Sequence, residues 1–309
     1  MRNDEALTVD EVAEILQVSR NTVYALKSRG ELASFKVGRK LRFSYTDVQA
    51  YIAKSKTSRE PEVVPVKQGG RFVICGQDVI LDVLSNYVTQ AGVECLRSYI
   101  GSYDALTALY KDDVQVASAH LWDSATGEYN VPFVQKLLPS TPAVVVNLTY
   151  GTQGLYVAKG NPLDLHAWED LGEQGVRLIN REKGAGSRVL LDESLCAHGI
   201  NPYEIEGYGD EVQSHIAVAS MVARGRADVA VGSEKIARQV KGIDFVPLKK
   251  ERYDLVFKQS AFETPGIKAM LGILESGLLR EEFASLGGYD TSDMGRIMSV
   301  SYTHLRAHE

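Results

Sequence analysis

The pattern of apolar and polar positions changes character along the chain and divides it into two regions. Over residues 7–53 the apolar positions fall at helical spacing in three short segments, with two strand-like runs between the second and the third. From residue 71 to residue 298, short apolar runs typical of buried strands alternate with longer helical patterns. Residues 56–70 are rich in Pro, Gly and polar residues and show neither period, so we interpret them as a linker.

Local signals sharpen the prediction for the first region, residues 1–55. Thr8 and Glu11 have the spacing of a capping box, and Ser19 precedes the second helical pattern as an N-cap. A turn at residues 38–40 separates the two strand-like runs, and Thr46 is expected to cap the third helix. The predicted order of helix, tight turn, helix, hairpin and helix is that of a helix-turn-helix followed by a wing.

The net charge favours a nucleic-acid partner only when it is counted separately for each region of the chain. The chain has 34 Lys+Arg and 40 Asp+Glu, a formal net charge of -6. Residues 1–55 nevertheless carry a net charge of +2, and residues 19–42 hold seven basic residues against Glu31 alone. Basic side chains are what phosphate contacts require, although such a run can also be only a solvated face.

The segment LTVDEVAEILQVSRNTVYALKSRGELASFKVGRKLRFSYTDVQAYI resembles the excisionase/MerR-type winged helix-turn-helix DNA-binding module. The resemblance implies that residues 19–28 enter the major groove and that the hairpin at 37–42 contacts phosphates or the minor groove as a wing. Independently, Arg can donate two hydrogen bonds to guanine and Asn can pair with adenine. The predicted DNA-binding residues are Ser19, Arg20, Asn21, Thr22, Tyr24, Lys27, Arg39, Lys40 and Arg42.

The second region is similar to the periplasmic-binding-protein-like domain of molybdate- and tungstate-type oxyanion receptors, which also occurs fused to regulators. The segments that carry the resemblance are HLWDSATGEYN (120–130), NREKGAGSRVLLDESL (180–195), GYGDEVQSHIAVASMVARGRADVAVG (207–232) and DFVPLKKERYDLVF (244–257). The resemblance implies an α/β fold of type II with two lobes, about 71–147 plus 235–298 and about 152–235, joined by two crossing strands. The alternation itself predicts a mostly parallel sheet.

Three predicted strand-to-helix junctions form the candidate ligand site. Anions favour helix N-termini, small residues let backbone N–H groups approach an anion, and Ser hydroxyls and Arg add donors. A ligand role and a structural role both stay open for His120, Glu128, Tyr129 and His215, whereas Asp78 and Asp104 are expected to be helix caps. The predicted ligand-binding residues are Cys75, Gly76, Gln77, Gly101, Ser102, Tyr103, Gly186, Ser187 and Arg188.

Two of these candidates have a stated alternative. The resemblance implies a Ser near Cys75, and a thiol is a poor donor, so Cys75 is expected as readily to be a small buried apolar residue. Arg188 is expected as readily to be a surface ion-pair partner.

Several classes of protein are disfavoured by what the sequence lacks. It contains no G-x-S-x-G, H-E-x-x-H, P-loop or strand-following G-x-G-x-x-G motif, so we expect no catalytic residues and no enzyme. The six His and three Cys show no metal-ligand spacing, so no metal and no resident cofactor are expected. No apolar leader and no run of about 18 apolar residues is visible, which predicts a cytoplasmic protein without a membrane partner.

The last segment, SVSYTHLRAHE (299–309), fits no domain pattern. It resembles the translated read-through of a sequencing adapter, so we expect it to be a non-native tail outside the second domain.

Together these patterns predict a ligand-responsive transcriptional regulator that binds double-stranded DNA as a homodimer. The predicted effector is a small oxyanion, molybdate or tungstate. The alternatives are a cytoplasmic small-ligand binding or storage protein, a regulator that senses a different anion or a molybdenum-cofactor precursor, and an enzyme that uses Cys75 or His120 in the cleft.

Overall fold

The protein divides into two compact units, which contain residues 1–64 and 65–309. The predicted linker lies outside the residues that the structure describes. This structure is a computed structural model, and it describes residues 6–16, 20–28, 32–38, 40–48 and 72–301.

The described residues of the first unit form two helices and a three-stranded antiparallel sheet in the order β1-β3-β2. A helical turn at residues 45–48 follows the last strand. The sequence patterns predicted the helices and the hairpin but not β1, which pairs with the end of β3. The elements are β1 (Ala6–Leu7), α1 (Val9–Leu16), α2 (Arg20–Ser28), β2 (Phe35–Val37) and β3 (Lys40–Ser44).

The helix caps of the first unit agree with the prediction at α1 and differ from it at the third helical turn. The capping box is confirmed, because Glu11 accepts from the N–H of Thr8 at 2.7 Å and Thr8 Oγ1 accepts from the N–H of Glu11 at 3.2 Å. The third helical turn starts earlier than predicted, since Ser44 Oγ accepts from the N–H of Thr46 at 3.2 Å. Ser44 therefore occupies the capping position that we assigned to Thr46.

The second unit alternates strands and helices, as the sequence predicts. Its strands are β4 (Phe72–Cys75), β5 (Cys95–Ser98), β6 (Val116–Ala119), β7 (Trp122–Asp123), β8 (Glu128–Tyr129), β9 (Ala143–Ala158), β10 (Leu178–Arg181), β11 (Glu211–Val212), β12 (Val229–Ser233), β13 (Ile243–Lys258) and β14 (Ile297–Ser301). Its helices are α3 (Ile80–Gln90), α4 (Ser102–Tyr110), α5 (Val131–Leu137), α6 (Gly186–Ala197), α7 (His215–Ala223), α8 (Glu234–Ala237), α9 (Pro265–Glu275) and α10 (Leu278–Leu286).

Two long antiparallel strands, β9 and β13, run through the whole unit and join two lobes. The order of the sheet is β11-β10-β12-β9-β13-β6-β4-β5, and β14 pairs with the first half of β9. Pairs within each lobe, such as β4 with β6 and β10 with β12, are parallel, whereas every pair made by β9 or β13 is antiparallel. The sheet is therefore mixed, and the prediction of a mostly parallel sheet was wrong at its centre.

Each lobe has its own apolar core. Ile74, Leu81 and Phe257 belong to the core of the first lobe, and Leu178 and Val229 belong to the core of the second. The boundary that we predicted at residue 235 was wrong, because the segment from α8 to the first half of β13 packs in the second lobe. The cause is the length of β13, whose 16 residues cross from the second lobe to the first.

The C-terminal strand extends past the boundary that we predicted for the domain. In β14, residues 299–301 pair with Val145, Val144 and Ala143 of β9. The predicted tail therefore overlaps β14 at residues 299–301, its non-native origin stays a prediction, and residues 302–309 lie outside the described part of the chain. Within that described part, no helix combines the length and the apolar character that crossing a membrane requires.

Candidate functional site

The two lobes close on a small polar cavity at the centre of the second unit. Its volume is about 10 Å³, which is the room that one water molecule needs. Side chains from the first lobe, the second lobe and the crossing strands share its surface. The lining residues are Gln77, Asp78, His120, Gln153, His215, Ser233, Lys235, Glu251 and Tyr253.

Direct contacts between the lobes hold the cavity closed. Gln77, after β4, accepts from Arg181 Nη2 at 2.8 Å and donates to Glu182 Oε1 at 3.1 Å, both at the end of β10. Asp78 pairs with Lys235 of α8. The N–H of Tyr103 in α4 donates to the carbonyl of Gly184 at 3.2 Å.

Two buried carboxylates in the cavity are neutralised by neighbouring cationic groups. Burial alone would raise the pKa of Asp78, but Lys235 and hydrogen bonds from Ile80 and Tyr289 hold that pKa below its ordinary value. Burial likewise opposes ionisation of Glu251, and the charge of His120 lowers the pKa of Glu251 below its ordinary value. Both acids are therefore ionised at neutral pH and already have partners.

Several donors around the cavity have no partner among the described residues. Arg181 uses Nε and Nη2 for Glu182, yet its Nη1 donates to nothing and its side chain is only 1% exposed. The hydroxyls of Ser187 and Ser233 are also buried and unpartnered. A buried polar atom without a partner costs roughly 1–3 kcal/mol, so several at one cleft indicate a missing polar ligand.

His215, the first residue of α7, adds a further unpartnered atom, Nδ1. Burial lowers the pKa of His215 well below its ordinary value, and the charges on Arg181, His120 and Lys235 lower it further. The imidazole is therefore neutral at pH 7, and Nδ1 can donate in one of its two tautomers. These three basic groups therefore lie close enough to His215 to disfavour its protonation.

The N-terminus of α6 borders the cavity at close range. A Cβ on Gly186 would lie 2.3 Å from Nε2 of His120, so only glycine allows this approach. The first N–H groups of a helix have no intrahelical acceptor and carry partial positive charge. Gly186 therefore lies at a positive helix end beside His120, and the buried hydroxyl of Ser187 follows it. Their roles in ligand binding stay predictions.

Of the first predicted junction, only Gln77 lines the cavity. Cys75 is buried in the apolar cluster with Ala105 and Leu106, and burial raises the pKa of its thiol to about 11. The N–H of Gly76 donates to the carbonyl of Ser98 at 2.9 Å, so it is not available to a ligand. The predictions for Cys75 and Gly76 were therefore wrong, because this turn packs inward. A neutral, buried thiol is also a poor nucleophile.

The second predicted junction, Gly101–Tyr103, takes part in the contacts that close the two lobes and does not line the cavity. Gly101 packs against the backbone of Gly184, where a Cβ would lie 3.0 Å from the carbonyl oxygen. Ser102 is buried at the start of α4, and the side chain of Tyr103 is exposed. None of the three lines the cavity.

Arg188 does not line the cavity, so its predicted ligand role was wrong. The alternative of a surface ion-pair partner was correct in the ion pair but not in the location, because the side chain of Arg188 is buried. Its guanidinium binds Asp192 at 2.9 Å and Glu211 at 3.0 Å, and it lies 4.3 Å from the ring centroid of Tyr208. Seven residues earlier, Arg181 occupies the position near the cavity that we gave to Arg188. Helical geometry explains the difference, because the side chain of Arg188, the third residue of α6, projects from a different face of the helix than the face beside the cavity.

The sequence analysis missed six residues in or beside the site, Arg181, Ser233, Gln153, Lys235, Glu251 and Tyr253. Arg181 ends an apolar strand, and a charged residue at the carboxyl end of a predicted buried strand was a usable signal. Ser233 ends β12 in the same way. Gln153, Glu251 and Tyr253 carried no local signal, because they reach the cavity through the crossing of β9 and β13. Lys235 reaches it from α8, and it too carried no local signal.

The predicted DNA-binding residues of the first unit are described in part. Arg20 is exposed and pairs with Asp10 of α1, and Tyr24, Lys27 and Lys40 are exposed as a DNA-contacting surface requires. Arg42 is half-buried and donates to the carbonyl of Leu41 at 3.1 Å. Asn21 and Thr22 lie in α2, but their side chains, like the whole of Ser19 and Arg39, lie outside the described residues.

Comparison with known proteins agrees with this division. The model of the PBP superfamily domain matches residues 85–275, and that of a helix-turn-helix domain matches residues 6–56. The chain belongs to the PBP superfamily. It is also 37% identical over 308 residues to the uncharacterized protein YvgK of Bacillus subtilis, covering 96% of this chain and 99% of YvgK. The PBP domain is thus fused to a helix-turn-helix domain, which implies binding of a small ligand and of DNA.

Solved structures similar to this chain have the same PBP fold. A putative phosphate ABC transporter substrate-binding protein of Clostridium perfringens, with bound phosphate, gives a TM-score of 0.54 at 14% identity and covers 72% of this chain and 99% of that chain. An ancestral arginine-binding protein bound to arginine gives 0.51 at 15% identity, covering 72% and 100%. At such identities the likeness concerns the fold of the PBP domain, and the ligand must be argued from its cleft.

Proposed function

We propose that this protein is a transcriptional regulator whose helix-turn-helix domain binds operator DNA and whose PBP domain senses a small oxyanion, molybdate or tungstate. The observation that carries the proposal is the group of buried, unpartnered donors at the closed cleft, Arg181 Nη1 with the hydroxyls of Ser187 and Ser233.

The charges of the cleft favour an anion over a cation. Asp78 and Glu182 each have a cationic partner, and Glu251 is hydrogen-bonded by His120 and Gln153, so no carboxylate among these described residues is left for a positive ligand. The unpartnered groups are mainly donors, one of them on a guanidinium, and α6 directs its positive end to the same place. Gln153 Oε1 is the acceptor among them, and the two hydroxyls can also accept.

The choice of molybdate or tungstate comes from the resemblance of the chain to receptors of that type. A tetrahedral oxyanion presents oxygens in several directions, which suits donors that come from β10, α6 and β12. Phosphate, sulfate and arginine are the proper competitors, because one similar structure holds phosphate and another holds arginine.

Isothermal titration of the full-length protein tests the ligand. We expect molybdate and tungstate to bind with affinities that exceed those of sulfate, phosphate and arginine, and to raise the Tm. A ligand at 100 times its Kd stabilises the folded state by about 2.7 kcal/mol. If arginine or phosphate binds and neither metal oxyanion does, the molybdate or tungstate assignment is wrong. Binding of a molybdenum-cofactor precursor alone would support that alternative effector.

Duplexes selected from a random-sequence pool by the full-length protein test the DNA-binding function. We expect their affinity to fall steeply with salt, because basic side chains that contact phosphates release counterions. The double variant R20A/K40A should bind at least tenfold more weakly, whereas K241A in the PBP domain should bind as wild type does. Equal affinity of all three proteins would refute a regulator that uses this surface and would favour a storage protein.

We also propose that the regulator acts as a homodimer, because helix-turn-helix proteins commonly read two half-sites through two-fold symmetry. Light scattering with and without molybdate, and the spacing of half-sites in the selected duplexes, test this. A monomer bound to a single unrepeated site would contradict it.

A further inference from the structure

We propose that the carboxylate of Glu182 acts as an internal competitor of the effector and sets its affinity by occupying Arg181. This inference rests on the proposed function, since it concerns the same anion site. It assigns Glu182 a role that differs from ordinary pairing for stability.

The contacts of Glu182 are those that an oxyanion ligand would make. Its Oε2 accepts from Arg181 Nε at 2.7 Å, and its Oε1 accepts from Nη2 at 2.7 Å. Oε1 also accepts from Gln77 Nε2 at 3.1 Å. This is the two-pronged arrangement by which arginine binds carboxylates and other oxyanions.

While Glu182 stays in place, the guanidinium of Arg181 has few donors available for a ligand. Its Nη2 donates to both Glu182 and Gln77, so only Nη1 is unpartnered. An effector that accepts a hydrogen bond from Nε of Arg181, or that replaces Glu182 as its ion-pair partner, must therefore displace the Glu182 carboxylate. The arrangement permits this, because the side chain of Glu182 is 23% exposed and can turn toward water, whereas that of Arg181 is 1% exposed.

Gln77 connects this competition to closure of the lobes. It comes from the first lobe and binds Arg181 and Glu182 of the second at the same time. The internal carboxylate thus supports the closed cleft in the same way as a bound anion would. It follows that effector binding exchanges one closed arrangement for another, at a cost in affinity that the side chain of Glu182 determines.

The test compares E182Q with D228N by isothermal titration of the full-length protein with molybdate, with sulfate and phosphate as further probes. Asp228 is a matched control, because it forms a similar two-pronged pair with Arg177 in the same lobe, at 2.9 Å on both nitrogens. Among the described residues its carboxylate binds Arg177, whereas that of Glu182 also binds Gln77, which lines the cavity. We expect E182Q to bind molybdate at least tenfold more tightly than wild type, and D228N to bind it as wild type does.

The outcomes separate this inference from the proposed function. If wild type binds molybdate and E182Q binds it equally or more weakly, Glu182 is no competitor, while the oxyanion function stands. If D228N gains as much as E182Q, a general change of charge explains the gain and the inference fails. If neither wild type nor E182Q binds any of the three oxyanions, both the function and the inference are wrong. Binding by E182Q alone would support the competitor and refute effector binding by the natural cleft.

Discussion

Arg181, at the end of β10, and Arg188, in the first turn of α6, have surroundings that differ in a way that separates a binding group from a structural one. Both side chains are almost fully buried, at 1% and 3% exposed. Arg188 is enclosed by Asp192, Glu211 and the Tyr208 ring, and its pairs lie within the second lobe. Arg181 keeps one nitrogen unpartnered and meets the first lobe through Gln77. Burial of a charge therefore does not indicate function by itself, whereas an unpartnered donor where two lobes meet does.

The largest expected difference is in effector affinity. R181A should weaken molybdate binding roughly 100-fold, because it removes charge-assisted hydrogen bonds worth about 1.5–3 kcal/mol. R188A should change the affinity less than about threefold, since Arg188 does not reach the cavity. Isothermal titration of both variants checks this. Equal losses would remove the distinction that we draw between the two arginines.

Stability should show the reverse order. R188A leaves Asp192 and Glu211 without their cation and removes the stacking on Tyr208, so we expect it to lower the free energy of unfolding by about 2 kcal/mol. R181A should cost less, because Glu182 can turn into water when its partner is lost. Urea unfolding of the PBP domain within the full chain measures both values. A larger loss for R181A would mean that Arg181 is chiefly structural.

Two serines of α6 test the same distinction between a binding group and a structural one, with a smaller expected change in affinity. The hydroxyls of Ser187 and Ser194 are both buried and unpartnered, but Ser194 lies seven residues further along α6, about 10 Å from the cleft end. S187A should weaken molybdate binding about fivefold, the value of one hydrogen bond of about 1 kcal/mol. S194A should leave the affinity unchanged, and an equal loss in both would place the effect in helix packing.

The smallest expected effect is on the acid dependence of stability. Burial opposes ionisation of Glu182, but Arg181 lowers its pKa below the ordinary value, so this pair stabilises the fold above that ordinary value, near pH 4. Its contribution is lost as the pH falls through the lowered pKa. E182Q should therefore be less stable than wild type at pH 7 by less than about 1 kcal/mol, and its Tm should approach that of wild type as the pH falls through the lowered pKa. A constant difference in Tm across this range would contradict the assigned ionisation.

The sequence was sufficient for the elements whose signals are local. The capping box of Thr8 and Glu11 and the hairpin of β2 and β3 around the turn at 38–40 were both predicted from neighbouring residues. The cleft was predicted less well, because its groups meet only after the lobes fold. Lys235 reaches Asp78 across 157 positions of the sequence, and no pattern of residues links the two beforehand.

The wrong prediction for Arg188 has a similar physical origin. The segment GAGSR suggested that consecutive residues share one ligand, yet successive residues of a helix point about 100° apart. Ser187 and Arg188 therefore face different surroundings, and the charge of the site comes from the strand before the loop. The crossing of β9 and β13 supplied Gln153 and Glu251, which only the register of two distant strands could have revealed.

The small volume of the closed cleft has a consequence for rates. A cavity of about 10 Å³ cannot admit an oxyanion of several atoms while the lobes remain in contact. An effector must therefore meet a molecule whose lobes have already separated, and the observed rate of binding should level off at high effector concentration, at the rate of opening. The cell's response to a sudden supply of effector would then be timed by the protein rather than by diffusion.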